Sequence, residues 1–141
     1  MNELRPVVFF YGSFMNRAVC ATAGAELAAS EVARLPGFDI RVGPLATLVR
    51  SDERCVYGLL ARMSHAELGR LYAMPWVGSY LHEAVLVETT DGHLRPALVY
   101  IKHDMVAAAP TAEYVDRIVA PARFHGFPAW YVARLESFRP R

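Results

Sequence analysis

CVYGLLARMSHAELGRLY, residues 55–72, changes periodicity partway along its length. Cys55 to Ala61 is apolar and reads as a buried strand, with Gly58 marking a bulge or a close backbone approach. Ser64-His65-Ala66-Glu67 then has the spacing of a capping box, in which the serine hydroxyl and the glutamate carboxylate satisfy each other's backbone N–H groups. Met63 and Leu68 flank it at the spacing of a hydrophobic staple. A helix is predicted from His65 to about Tyr72, with Leu68, Leu71 and Tyr72 toward the core, ending ahead of Pro75.

Upstream, Val7 to Phe10 is a short apolar strand running into Tyr11-Gly12-Ser13, with Phe14, Met15 and Asn16 behind it. Asn16 caps a predicted helix over Arg17 to Leu27, with Gly24 a weak point inside it. Ser30 to Leu35 reads as a strand broken by Pro36-Gly37, and Phe38 to Val42 alternates as a half-buried one. Leu45 to Val49 is a further short strand beyond the Gly43-Pro44 turn.

Downstream, Glu83 to Thr89 and Leu94 to Ile101 are joined around Asp91-Gly92, a strong hairpin signal. Thr111 precedes Tyr114, Val115, Ile118 and Val119, whose spacing makes one helix face, and Gly126 to Phe138 reads as a last turn and helix. Helices mixed with hairpin-joined strands predict an α+β fold in a single domain over residues 1–141.

The chain has 141 residues, 54% hydrophobic and 21% charged, with a net charge of +1. That suits a packed core, and no basic run suggests nucleic acid. Neither a signal peptide nor an apolar run long enough for a transmembrane helix is read, so no membrane association and a cytoplasmic location are expected. Cys20 and Cys55 are far apart, with no CxxC, so no metal and no cofactor is expected and both read as packing residues. The apolar content allows a monomer or a homodimer.

FFYGSFM (9–15), PGFDIRVG (36–43), the 55–72 stretch, YLHEAVLVETTDGHLRPALVYI (80–101) and the segment around Tyr114 occur in an order that resembles the gamma-glutamylcyclotransferase-like, or AIG2-like, family. The resemblance covers nearly the whole chain. It implies a small mixed β-barrel flanked by helices, with the YGS loop binding the α-carboxylate of a γ-glutamyl small molecule. Tyr11, Gly12, Ser13, Phe14 and Met15 are assigned to that loop, and Tyr80 matches the tyrosine that opens the following strand. The physics is consistent: a turn directly after a strand aims successive N–H groups at one point, glycine admits close approach, and serine adds a donor. The implied reaction is attack of the substrate's α-amine on its own γ-carbonyl, releasing an amine and 5-oxoproline, with a glutamate as general acid–base.

The stretch where that glutamate belongs, Leu71 to Tyr80, contains no carboxylate, and Pro75 stands about where the acid is expected. Glu83 is the nearest substitute. Strand alternation puts it on one face with Val85 and Val87, either as a desolvated acid or as a strand-start charge reaching water. His82 points to the opposite face. His65, His93 and His103 read as exposed and His125 as packed, while Trp76, Tyr114 and Tyr131 line a pocket or fill the core. Three functions stay open: an enzyme using Glu83, a binding module that has lost the chemistry, and an interaction scaffold.

Overall fold

The structure, a computed structural model, describes residues 4–141. Its centre is a closed five-stranded barrel of β1 (Val7–Phe10), β2 (Ser30–Val42), β3 (Ala46–Arg62), β4 (Leu81–Thr89) and β5 (Leu94–Ile101), in the order β1-β3-β2-β4-β5. Every pairing is antiparallel except the seam between β1 and β5, where Val8 lies beside Leu98 in parallel. With α1 (Arg17–Ala21), α2 (His65–Ala73), α3 (Ala112–Phe124) and α4 (Ala129–Glu136) around it, the architecture is the α+β mixed barrel that the sequence predicts. Val8, Phe9, Leu35, Ile40, Val56, Leu59 and Val99 pack the core. No helix among the described residues is long and apolar enough to cross a membrane.

Two strand boundaries differ from the sequence reading. Pro36-Gly37 does not end a strand: β2 runs through it, and the register with β3 shifts between Pro36 and Phe38. The irregularity leaves Gly37 alone opposite residues 51–54 of β3, proline needs no ladder donor there, and Gly37 takes φ +86°. Residues 50–54 likewise do not separate two strands; β3 passes through them as the long arm of the hairpin with β2. Cys55 and Arg50 pair with Pro36 and Phe38, while residues 51–54 have no partner in the ladder between them.

The helices follow local chemistry. In α2 the capping box forms as read: Ser64 Oγ accepts from Glu67 N at 3.1 Å, and Glu67 Oε1 accepts from Ser64 N at 3.2 Å. Met63 and Leu68 are both buried beside it. The first helix is shorter than predicted. It ends at Ala21 because Gly24, at φ +67°, closes the turn with its N–H on the Ala21 carbonyl. Thr111 caps α3 by accepting from Tyr114 N at 3.1 Å, and α3 buries Tyr114, Val115, Ile118 and Val119. α4 buries Tyr131 and Leu135.

Candidate binding site at the end of the first strand

After Phe10 the chain leaves the barrel at Tyr11 and makes a 3₁₀ turn over Ser13–Met15. That turn closes with Met15 N donating to Gly12 O at 3.1 Å and Asn16 N to Ser13 O at 3.0 Å. The preceding amides of Gly12, Ser13 and Phe14 have no acceptor among the described residues, as expected for the open N-terminal end of a helical turn. Gly12 is not at positive φ (−114°). Its lack of a side chain matters for space, since a Cβ there would lie 3.2 Å from Ala46 Cβ.

A narrow cavity of about 30 Å³ lies against this turn. Tyr11, Gly12, Ser13 and Phe14 form one side, and Ala46, Tyr72, Trp76, Tyr80, Tyr100 and Tyr114 close the rest. Three tyrosine hydroxyls hold backbone. Tyr11 donates to the Tyr100 carbonyl at 2.6 Å, Tyr80 donates to the Ala46 carbonyl at 2.6 Å, and the Tyr114 hydroxyl accepts from Ala46 N at 2.8 Å. The rings brace one another: Tyr72 stacks on Tyr100 at 3.9 Å and meets Phe14 edge-on at 5.2 Å, and Phe14 meets Trp76 at 6.0 Å.

Burial raises the pKa of Tyr11, Tyr72, Tyr80 and Tyr114, because a phenolate in this setting loses its hydration. For Tyr114 the Ala46 N–H, the Ser13 hydroxyl and the Arg117 guanidinium oppose that rise. These tyrosines therefore work as neutral donors and acceptors, not as bases. Among the described residues no carboxylate lines the cavity. No cluster of three or more His, Cys, Asp or Glu suited to a metal occurs among the described residues.

Leu45, Trp76, Val77 and Tyr114 line both this cavity and a larger cleft of about 880 Å³. Asn16, Pro75, Lys102, Met105, Val106 and Arg117 are among the outer cleft's other walls. Pro75, at the place of the expected acid, thus faces this cleft.

Tyr11, Gly12, Ser13, Phe14 and Tyr80 come together as the sequence reading groups them. Met15 does not line the cavity; it is buried at the far end of the turn. Glu83 does not line it either. It shares the inward parity of Val85 and Val87, but its side chain is 33% exposed and sits near Arg50 (3.6 Å) and His103 (3.8 Å). Ion partners and water, rather than an apolar pocket, surround it. Trp76 and Tyr114 are cavity residues, whereas Tyr131 packs against Tyr57 and Phe127. His65, His82, His93 and His103 are exposed. Half-buried His125 has its pKa lowered by burial and by Arg17.

Cys20 is fully buried and donates to the Phe14 carbonyl at 3.2 Å, and burial pushes its thiol up to about 11. It is a packing residue beneath the loop.

Tyr72, Tyr100, Ala46 and Leu45 are cavity residues that the sequence reading did not assign. Only the pairing of Tyr100 with Tyr11 across the barrel, and the approach of β3 to Gly12, single them out.

A closed mixed barrel flanked by helices, with an aromatic slot at the end of its first strand, defines the α+β barrel class of this domain. The chain belongs to the gamma-glutamyl cyclotransferase, AIG2-like family, whose model matches residues 8–119. A solved structure titled gamma-glutamyl cyclotransferase is similar with a TM-score of 0.83 and 23% identity, covering 98% of this chain and 90% of that one. An uncharacterized protein from Homo sapiens gives 0.82 at 23% identity, covering 97% and 89%. YkqA from Bacillus subtilis gives 0.79 at 23% identity, covering 94% of this chain and 53% of that one. At these identities the structures share the fold. A search of curated proteins gave no significant match.

Proposed function

We propose that this cyclotransferase-like protein binds a γ-glutamyl or related small carboxylate compound at the YGS loop, as a binding module without the cyclising step. The carrying observation is a cavity lined by Gly12, Ser13 and Phe14, whose N–H groups have no acceptor among the described residues, and by neutral tyrosines, with no carboxylate among its described lining residues. Converging N–H groups suit a carboxylate. Cyclisation needs a group to take a proton from the α-ammonium, and the lining residues offer none at neutral pH. Cyclisation with Glu83 as the acid–base is the competing reading, and it requires β4 to deliver Glu83 to the loop from its position beside Arg50 and His103.

About 30 Å³ holds roughly one or two waters, so a ligand enters by displacing the wall between cavity and cleft. That wall includes Trp76, 42% exposed. A Trp130→Phe protein, with Trp76 as its remaining tryptophan, is expected to change emission on titration with γ-glutamyl amides or 5-oxoproline. Gly12→Val should abolish the change by filling the space against Ala46. The same protein is expected to release no 5-oxoproline above the uncatalysed background. Release that Glu83→Gln removes would establish the enzyme reading instead, and no spectral or thermal shift with any of these compounds would remove both.

A further inference from the structure

The outer cleft carries charge of one sign. Lys102 and Arg117 line it, and among the described residues no acidic one does. Lys102 is held in place. The Lys102 backbone is fastened to the buried Thr47 hydroxyl, which donates to Lys102 O and accepts from Lys102 N, each at 2.9 Å. The Lys102 side chain is only 14% exposed, with Nζ 5.6 Å from the Tyr80 ring centre. Gly78 makes room for it: a Cβ on that residue would lie 2.7 Å from Nζ. Asp104 pairs with Lys102 at 3.3 Å and is itself steadied by Ser79 at 3.1 Å, but it is largely exposed and does not line the cleft.

Arg117 lies three residues beyond Tyr114 on α3, on the same helix face, so its guanidinium and the Tyr114 ring border the same opening. It makes no ion pair among the described residues. Its influence on the Tyr114 hydroxyl agrees with that position. Apolar Trp76, Val77, Met105 and Val106 line the cleft with the two cations. Apolar surface beside the cations strengthens charge pairing there.

We propose that the outer cleft is a second carboxylate site, so that the protein selects γ-glutamyl compounds whose distal, amine-derived part carries its own carboxylate over those ending in an uncharged alkyl group. This rests on the loop reading above. The γ-glutamyl head lies against Gly12, Ser13 and Phe14, the chain passes Trp76 and Tyr114, and the distal carboxylate meets Arg117 and Lys102. No covalent step is involved.

γ-Glutamylglycine and γ-glutamylethylamide test it, because they differ chiefly in a carboxylate replacing a methyl group. Isothermal titration at low ionic strength is expected to show γ-glutamylglycine binding about tenfold or more tightly, the scale of one to two partly desolvated charge contacts. The preference should shrink at 0.5 M salt, roughly, as screening shortens the reach of both cations. Arg117→Met, at an exposed position, and Lys102→Met should each reduce it, and the double variant should bring γ-glutamylglycine down to the ethylamide's affinity while leaving the ethylamide unchanged. Equal binding of the two compounds by the parent protein, or a preference that survives in the double variant, overturns the second site and leaves the loop reading standing. Binding of neither compound overturns both.

Discussion

Gly58 sits in β3 where β1 crowds it. A methyl group there would contact the Phe10 carbonyl and come within 2.7 Å of the Phe9 ring. Backbone cannot give way as a flexible side chain can, so Gly58→Ala is expected to cost about 1–3 kcal/mol by overpacking, read as a lower urea midpoint at unchanged m-value. Unchanged stability would show that the two strands do not approach so closely. The sequence alone left this glycine between a bulge and a close approach; the structure makes it a close approach and puts the bulge at Pro36/Phe38. Glu83 shows the limit of such reading. Alternation gave its face correctly, but parity says nothing about position along the barrel, and position puts it beside Arg50 and His103. Tyr72 shows another limit: an aromatic on the inward face of a helix has one sequence pattern whether it meets a core side chain or a cavity.

Local chemistry made α2 legible, and it also gives the helix a pH dependence. The Glu67 carboxylate accepts from Glu26 N at 2.8 Å and from the Ser64 amide and hydroxyl, with Arg5 3.7 Å away. The Glu26 N–H is the largest influence lowering its pKa, and burial opposes it. A carboxylate with a depressed native pKa contributes stability that is fully present above its unfolded value, about 4.3, and fades as pH falls through the native value. Glu67→Gln should therefore lower stability at neutral pH by about 1–2 kcal/mol, and the difference from the parent should narrow on acidification below about pH 4. Melting curves at several pH values test this; a constant difference would assign the loss to packing. The strands were less legible than the helix. β2 and β3 are long because their pairing resumes on both sides of the irregularity at Gly37 and residues 51–54, and no local window contains that information.

At the scale of the molecule, β1 holds the assembly together from the start of the chain. It pairs with β3 along four residues and meets β5 at Val8 and Leu98, so closing the barrel joins segments about ninety residues apart. A core built this way has no half that can persist alone, and unfolding is expected as one transition. Tryptophan emission, near-ultraviolet and far-ultraviolet circular dichroism should give coincident urea curves. A resolved second step would divide the chain into separate units. The same topology explains why the site was readable only in part. The loop, Tyr80 and the absence of an acid near Pro75 lie in the linear order, whereas the other wall is assembled from β3, β5 and α3.

Ala46 stands in that wall with both of its peptide groups engaged, its N–H by Tyr114 and its carbonyl by Tyr80, while its methyl faces Gly12. The frame is thus fastened through main chain, and the aperture is trimmed by one methyl. Position 46 works like an interchangeable gauge: a residue of another size there resets the clearance for cargo, and the two tyrosine fastenings do not depend on what that side chain is.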